Sequence, residues 1–191
     1  MQLVTPAHEH LPSYIAALKQ GWSPDNTRPE RGFEELAEIE KDADAFLAGT
    51  TDLEATSGDV TLPDGSKVKR LPFMRRWMWD GEFCGSIGLR WQRGTPELPP
   101  TCLGHIGYAV VPWKRGNGYA TKALGLMLNE ARKIGLPYVE LTTDPENDIS
   151  QRIIEGHGGV MTEEFVKGPE YNYKPGLRWR IDLDERAPGQ I

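Results

Sequence analysis

Residues 104–120 place a strand-like run, a proline, two cations and a glycine-rich turn directly before a helix; they read GHIGYAVVPWKRGNGYA. Gly116 and Gly118 carry no side chain that would block a ligand from approaching the backbone N–H groups. The first N–H groups of a helix lack intrahelical partners, and the helix dipole adds about half a positive charge there. Because Lys114 and Arg115 add full charges, the segment predicts a site for a phosphate-bearing ligand.

The neighbouring pattern predicts the elements that hold this turn. Residues 106–111 predict a strand, and the following helix starts near Gly118 and ends at Gly135, before a further strand at residues 138–143. Strand, helix and strand in so short a stretch predict parallel neighbours joined by a right-handed crossover.

The rest of the chain alternates helical and strand patterns without repeats, which predicts one domain over residues 1–191. Two antiparallel strands are expected within residues 71–92, where Asp80 and Gly81 form the turn and Trp77, Trp79 and Trp91 pack the sheet. The other expected elements are strands at 2–6, 160–165 and 177–183, helices at 10–20, 33–47 and 150–157, and a small hairpin with its tip at 63–65. Together they predict a mixed α/β fold.

Composition and net charge limit the cellular location, the partners and the metal content that we expect. No segment has the length and apolarity of a membrane span, and residues 1–14 lack a signal-peptide pattern, so we expect a cytoplasmic protein with no membrane partner. The formal net charge of −6 argues against nucleic acid as a partner and would suit a cationic small molecule. The only cysteines, Cys84 and Cys102, have no metal-ligand spacing, and His8 and His10 precede a helix without further ligands. We therefore expect no metal.

Known glycine-rich phosphate loops make different demands on the neighbouring residues. A Walker A loop needs a Gly-Lys pair followed by Ser or Thr, and neither Gly116 nor Gly118 opens such a pattern. A dinucleotide fingerprint fits better, because Glu140 follows at the distance of a ribose ligand, although Thr121 replaces the third glycine. An NAD(P)-binding oxidoreductase therefore stays open as an alternative.

Two blocks carry a resemblance to the GCN5-related N-acetyltransferases (GNAT family). Arg115, Gly118 and Ala120 match the defining positions of that family's pyrophosphate loop, and the segment NDISQRIIEGHGG, from Asn147 to Gly159, resembles its downstream block. The order of the expected elements also matches, so the resemblance covers most of the chain. It implies a mostly antiparallel central sheet with a parallel, splayed strand pair and flanking helices, and it implies acetyl-CoA as co-substrate.

The resemblance also implies roles for individual residues. Main-chain groups of Val110 and Val111 would hold the pantetheine arm, the loop N–H groups would bind pyrophosphate, and Thr121 would cap the helix. Asn147 would contact the pantetheine or the attacking side, although it equally fits an N-terminal helix cap. The full cofactor-binding set is Val110, Val111, Arg115, Gly116, Asn117, Gly118, Tyr119, Ala120, Thr121, Asn147 and Ser150.

Transfer to an amine requires loss of a proton, because an ammonium group is not a nucleophile. His105 is the first candidate base because it lies on the strand leading to the thioester, and Glu140 is the second; each also fits a purely structural role. The family often places a proton-donating tyrosine where this chain has Ile154. Either the acid is dispensable, because a thiolate is a tolerable leaving group, or a residue such as Tyr108 or Tyr171 replaces it.

These observations predict direct acetyl transfer to a primary amine of a small molecule or peptide. The chain places no nucleophile for a covalent intermediate, apart from the two cysteines. A non-catalytic acyl-CoA-binding module of the same fold is the first alternative. The acceptor would be chosen by residues 21–34, 49–70 and 168–176, and a homodimer stays open.

Overall fold

The structure is a computed structural model that describes residues 1–26, 28–61 and 65–183. Five α-helices lie in this part of the chain: α1 Leu11–Lys19, α2 Arg31–Lys41, α3 Ala43–Ala48, α4 Tyr119–Ile134 and α5 Asp148–Glu155. Its ten strands are β1 Gln2–Val4, β2 Thr51–Asp52, β3 Val60–Thr61, β4 Lys67–Val68, β5 Phe73–Trp79, β6 Phe83–Arg90, β7 Ile106–Val110, β8 Tyr138–Thr143, β9 Val160–Val166 and β10 Pro175–Asp182. No helix among these residues is long and apolar enough to cross a membrane.

The strands form two main sheets in which every described pairing is antiparallel. One sheet has the order β1-β5-β6-β7 with β2 also paired to β5, and the other has the order β8-β10-β9. Strands β3 and β4 form a separate hairpin, whose predicted tip at residues 63 and 64 lies outside the described residues. The predicted mixed α/β fold with a mostly antiparallel sheet and flanking helices is confirmed.

Strands β7 and β8 meet only at one end. The His105 N–H donates to the Glu140 carbonyl at 2.7 Å, just before β7 begins, yet the two strands belong to different sheets. Strands β7 and β8, which the sequence predicts as parallel neighbours, therefore share no hydrogen-bonded ladder. They splay apart beyond this contact, and the splay opens a gap beside β7.

Helices cover both faces of the first sheet. On one face, α4 buries Ala123, Leu124, Met127, Leu128 and Ala131 against the sheet, at the helical spacing that the sequence predicts. On the other face, α1 places Tyr14 on the buried ring of Trp77, with the ring centroids 4.2 Å apart. Because Trp77 is fully buried, its truncation to Ala would cost about 3–5 kcal/mol of folding free energy.

Two helix boundaries differ from the sequence predictions. The single helix expected at residues 33–47 is two helices, because Asp42 is extended (φ −161°) and its side chain accepts a hydrogen bond from the Ala45 N–H at 2.9 Å, which starts α3 afresh. The helix expected at residues 150–157 begins two residues earlier, since Asn147 caps it by accepting from the Ser150 N–H at 3.2 Å.

Candidate active site

A cleft of about 550 Å³ opens between the end of β7, the glycine-rich turn before α4 and the start of α5. We refer to it as the loop cleft. Ten of the predicted site residues line it: Tyr108, Val110, Arg115, Gly116, Gly118, Tyr119, Ala120, Thr121, Asn147 and Ser150. Ile149, Arg152 and Ile153 also line it; they belong to the downstream block, although the sequence assigned them no role. Asn26 lines it too, and because it belongs to no motif, the sequence did not indicate it.

The glycine-rich turn exposes backbone donors to this cleft. Gly116 and Gly118 have φ values of 80° and 70°, in the left-handed region that favours glycine. The Lys122 N–H makes the first intrahelical bond, to the Gly118 carbonyl at 3.0 Å, so the N–H groups of residues 119–121 precede the helical ladder. The α4 N-terminus carries no side-chain cap, so Thr121 lines the cleft instead of capping the helix as predicted.

A carboxylate anchors the turn to the β5–β6 hairpin. Asp80 accepts hydrogen bonds from Lys114 Nζ at 3.1 Å and from the Tyr119 hydroxyl at 2.5 Å. These bonds, that from Tyr119 foremost, lower the pKa of Asp80 to about 2 against the opposing effect of burial. Because Lys114 also pairs with Glu82 at 3.3 Å, it serves as an anchor whose charge is largely compensated.

Asn117 and Arg115 stabilise the turn from within. Asn117 Nδ2 donates to the Lys114 carbonyl at 3.1 Å, so its amide side chain closes the turn and does not line the cleft. Arg115 lines the cleft, and its Nε donates to the Val110 carbonyl at 3.3 Å.

The edge of β7 that faces the splay carries unpaired backbone groups. The His105 carbonyl accepts from the Arg90 N–H, and the Val111 N–H donates to the Cys84 carbonyl, each at 2.9 Å. Hydrogen-bonded residues alternate along an antiparallel ladder, so the N–H groups of Tyr108 and Val110 point away from β6 and towards the gap.

The backbone groups of Val111, in contrast, are both hydrogen-bonded. Its N–H is used by Cys84, its carbonyl accepts from the Lys114 N–H at 3.0 Å, and the residue is fully buried. Neither backbone group of Val111 is therefore free for the predicted contact, whereas the register leaves the N–H groups of Tyr108 and Val110 unpaired by β6.

Tyr108 lines the loop cleft, and its hydroxyl oxygen is buried without a hydrogen-bond partner among the described residues. Burial raises the pKa of Tyr108, and the Ser150 side chain, which lies close to the hydroxyl but forms no hydrogen bond with it in this geometry, partly offsets that rise. At neutral pH the phenol is therefore protonated, with an O–H group free to donate to a ligand. Ile154, at the position of the family's tyrosine, lies in the core.

His105 lies outside the loop cleft and has both ring nitrogens engaged. Nδ1 accepts from the Glu140 N–H at 3.0 Å, which requires that Nε2 carry the proton and donate to the Pro96 carbonyl, also at 3.0 Å. Burial lowers the pKa of His105, so the ring stays neutral in one tautomer. These contacts give it a structural role between β7 and β8, in contrast to the predicted catalytic one.

Glu140 is also remote from the cleft. Its carboxylate accepts from Arg180 at 2.9 Å and pairs with Arg178 at 3.6 Å, on the polar face of β8 that the sequence alternation predicts. Both of its carboxylate oxygens are therefore engaged by guanidinium groups. We assign it a structural ion pair.

Cys84, His8 and His10 form no further reactive centre. Burial, together with the Asp80 carboxylate, raises the pKa of Cys84 to about 12, so its thiol is not an activated nucleophile. His8 bonds to Asp44 at 2.7 Å, whereas the His10 ring packs on Trp79. No group of three or more potential metal ligands occurs among the described residues.

A second cleft, of about 680 Å³, lies against β5 and β6 and is lined by parts of the chain that no motif connects. Its lining contains five cationic residues and, among the described residues, no carboxylate: Arg31, Lys69, Arg70, Arg75 and Arg90. We refer to it as the basic cleft. No sequence motif indicates it, because the cations are spread over 60 residues and only the fold brings them together.

Comparison with known families decides what kind of protein has this geometry. The model of the acetyltransferase (GNAT) domain matches residues 8–160, most of the chain. The chain belongs to the GNAT acetyltransferase family. The family predicted from the glycine-rich turn is confirmed, as is its acetyltransferase class, and the dinucleotide alternative is set aside. No curated protein sequence matches this GNAT chain significantly.

Solved structures share the fold of this GNAT chain at low sequence identity. The microcin C7 self-immunity acetyltransferase MccE, in complex with acetyl-CoA and AMP, is 11% identical with a TM-score of 0.62, over 94% of this chain and 91% of that one. A chimera of spermidine N-acetyltransferase SpeG from Vibrio cholerae and hSSAT is 15% identical with a TM-score of 0.63, over 95% of each chain. At such identities the likeness establishes the fold alone.

Proposed function

We propose that this chain transfers the acetyl group of acetyl-CoA directly to an amine, with the cofactor held in the loop cleft. The observation that carries the proposal is that three sets of hydrogen-bond donors meet at one cleft. They are the free N–H groups at the start of α4, the unpaired edge of β7, and the Tyr108 hydroxyl.

Each part of acetyl-CoA has a matching partner in this arrangement. The pyrophosphate is an anion, and the left-handed glycines and the first turn of α4 offer it N–H donors with the favourable end of the helix dipole. The N–H groups of Tyr108 and Val110 face the gap between the sheets, where they can donate to the pantetheine and to the thioester carbonyl. Such donors stabilise the negative charge that develops on that oxygen during attack.

The proposed reaction forms a C–N bond between the amine and the thioester carbon, and then breaks the C–S bond. The sulfur leaves as a thiolate and takes one proton, for which Tyr108, a residue that lines the cleft, is the proposed donor. The nitrogen, which is positively charged after the attack, gives up one proton, and this proton restores the Tyr108 phenol, so that amine and thioester yield amide and thiol. No covalent enzyme intermediate is proposed, because the Cys84 thiol is buried and protonated.

The proton of the attacking amine has no carboxylate or imidazole acceptor among the described lining of the loop cleft. We therefore propose that the acceptor reacts as its free base, formed in water before it binds. Below the pKa of the acceptor, kcat/KM should then rise about tenfold per pH unit. A plateau well below that pKa would instead reveal a base on the protein.

Release of CoA thiol from acetyl-CoA in the presence of an amine panel tests the function. Wild-type protein should release CoA in proportion to acetylated amine. Tyr108→Phe should lower kcat about 100-fold, the low end for a proton donor, because a thiolate is already a tolerable leaving group. Its affinity for acetyl-CoA should be unchanged, and its stability equal or slightly higher, since the lost hydroxyl is buried without a partner.

Two results would overturn this proposal. Tight acetyl-CoA binding without release of CoA for any amine would support a non-catalytic acyl-CoA-binding module. Loss of acetyl-CoA binding in Tyr108→Phe, with unchanged kcat at saturation, would show that the phenol only supports the binding site.

A further inference from the structure

The basic cleft is unusual for this chain. The protein has a formal net charge of −6, yet the five charged residues that line this cleft are all cations. The side chains of Lys69 and Arg90 are exposed and have no ion-pair partner among the described residues. A concave surface with one sign of charge raises the local concentration of ligands of the opposite sign.

A buried carboxylate fixes the inner wall of the basic cleft. Glu35 is fully buried, and it accepts two hydrogen bonds from Arg75 at 2.9 and 3.0 Å and one from Arg31 at 3.1 Å. The Tyr14 hydroxyl also donates to it. Arg31 also pairs with Glu34 at 3.1 Å and with Glu38 at 2.8 Å, so the charges on this wall are balanced and Glu35 serves to hold Arg75 in one orientation. The positive charge of the basic cleft therefore comes from Lys69, Arg70 and Arg90, which line it and make no ion pair among the described residues.

Two glycines leave a strip of the first sheet without side chains between Arg75 and β7, the strand that lines the loop cleft. We refer to this strip as the floor. Arg75 pairs with Gly88, which in turn pairs with Gly107, so the three residues lie side by side on one face of the first sheet. A Cβ at Gly107 would meet nothing within 4 Å, and one at Gly88 would only touch the Met74 carbonyl at 3.7 Å. Neither close packing nor a left-handed backbone requires these glycines, so the open floor is what they provide.

This floor links the two clefts. Neighbouring strands are about 4.8 Å apart, so Arg75 and Gly107 are separated by about 10 Å. Gly107 directly precedes Tyr108, whose N–H faces the gap between the sheets. A small molecule that lies along the floor can therefore place one end among the cations and the other at the proposed position of the thioester.

We propose that the basic cleft binds an anionic group, a carboxylate or a phosphate, at the end of the acceptor remote from the reacting amine. This inference rests on the proposed acetyl transfer and adds the class of acceptor: an amino carboxylate or amino phosphate, with about 10 Å between its two ends. The net charge of the chain favours a cationic acceptor, but the local charges around the floor determine which acceptor fits.

A set of acceptors with the same number of bonds between the amine nitrogen and the terminal group tests the charge preference. Aminooctanoate and aminohexyl phosphate carry the two anions, aminooctanamide is the neutral control, and diaminoheptane is the cationic one. Both anionic amines, or one of them, should be acetylated with a kcat/KM about tenfold above that of the amide, since a charge-assisted hydrogen bond is at stake. The diamine should be the poorest. Comparison of the two anions identifies carboxylate or phosphate as the preferred group.

The double variant Lys69→Gln/Arg90→Gln locates the preference in the basic cleft. It should remove the advantage of the anionic amines and leave the amide rate and the affinity for acetyl-CoA unchanged. Arg93→Gln is the matched control, because Arg93 is an exposed cation that pairs with Glu54 at 2.5 Å and does not line the cleft. A diamine preference, or equal losses for charged and neutral amines, would overturn the inference.

A binding measurement separates this inference from the proposed function. Inorganic phosphate is titrated calorimetrically into protein saturated with CoA, so that the loop cleft is occupied. Binding by wild type and Arg93→Gln, and its loss in the double variant, would support the basic cleft even if no amine were acetylated. Acetylation of amines with no charge preference and no phosphate binding would reject the inference and leave the proposed function intact.

Discussion

The loop cleft and the basic cleft are neighbours, but they are built in different ways. The loop cleft is made mainly from backbone groups within residues 108–121, with α5 as its second wall. The basic cleft is made from side chains of Arg31, the β3–β4 hairpin, β5, β6 and residues 99–102. Backbone donors suit the ligand that stays the same in every reaction, whereas a site made of side chains can bind a different ligand once those side chains are substituted. We therefore assign the cofactor to the first and the acceptor's identity to the second.

The largest effect should come from Gly118→Val, which disturbs the backbone N–H donors of the loop cleft. A β-branched residue is strained at φ 70°, and its side chain would stand where N–H donors meet the pyrophosphate. Loss of about two charge-assisted hydrogen bonds should weaken acetyl-CoA binding about 100-fold, as measured by calorimetry.

Gly21→Val provides the control for backbone strain. Gly21 has a φ of 85°, and a Cβ there would meet nothing within 4 Å, as at Gly118, but it lines neither cleft. If both variants lost stability equally and neither lost affinity for acetyl-CoA, the loop cleft would not depend on these backbone donors.

A smaller effect is expected for Gly107→Leu, which would obstruct the floor between the clefts. The side chain should raise the acceptor KM about tenfold, while the Kd of acetyl-CoA stays unchanged, because the proposed cofactor contacts are at Tyr108 and Val110 and not at Gly107. Gly107→Ala should have little effect, since its Cβ has space. A parallel loss of cofactor affinity in the Leu variant would show that the clefts are not separate.

The difference between the clefts also explains what the sequence could predict. The glycine-rich turn, α4 and its C-terminal Gly135 follow from local rules of helix geometry and periodicity, so most of the loop cleft was predictable. The break between α2 and α3 at Asp42 was not predictable, because an aspartate within a helical pattern can either cap a new helix or lie inside a single one. The basic cleft depends on pairing between Arg75, Gly88 and Gly107, which are remote in sequence and join only through strand register.

The catalytic roles were the least predictable part. Position on β7 favoured His105 as a base, but only the fold reveals that Pro96 and Glu140 occupy both ring nitrogens. Tyr108 was one of two tyrosines that could replace the missing acid. Its burial without a hydrogen-bond partner, which the sequence does not encode locally, now distinguishes it.

The smallest expected effect concerns stability rather than catalysis. Burial lowers the pKa of His105 in the folded state, so below the unfolded pKa of about 6.5 the unfolded chain binds the extra proton more readily. The free energy of unfolding should therefore fall as the pH decreases below about 6.5, by up to ~1.4 kcal/mol per unit until the folded group also titrates.

His105→Gln should flatten that pH dependence, as measured by urea unfolding at pH 7 and pH 5, and should keep kcat at neutral pH within about twofold of wild type. His8→Gln is the control, because His8 is an exposed partner of Asp44. A large loss of kcat in folded His105→Gln protein would restore His105 as the catalytic base.

A crystal structure with bound acetyl-CoA would show directly whether the loop cleft holds the cofactor. Pyrophosphate oxygens should lie about 3 Å from the N–H groups of residues 116–121, and the thioester carbonyl should lie within hydrogen-bond distance of the Tyr108 or Val110 N–H. Acetyl-CoA bound outside the loop cleft, or with its thioester remote from β7, would show that the loop cleft is not the cofactor site.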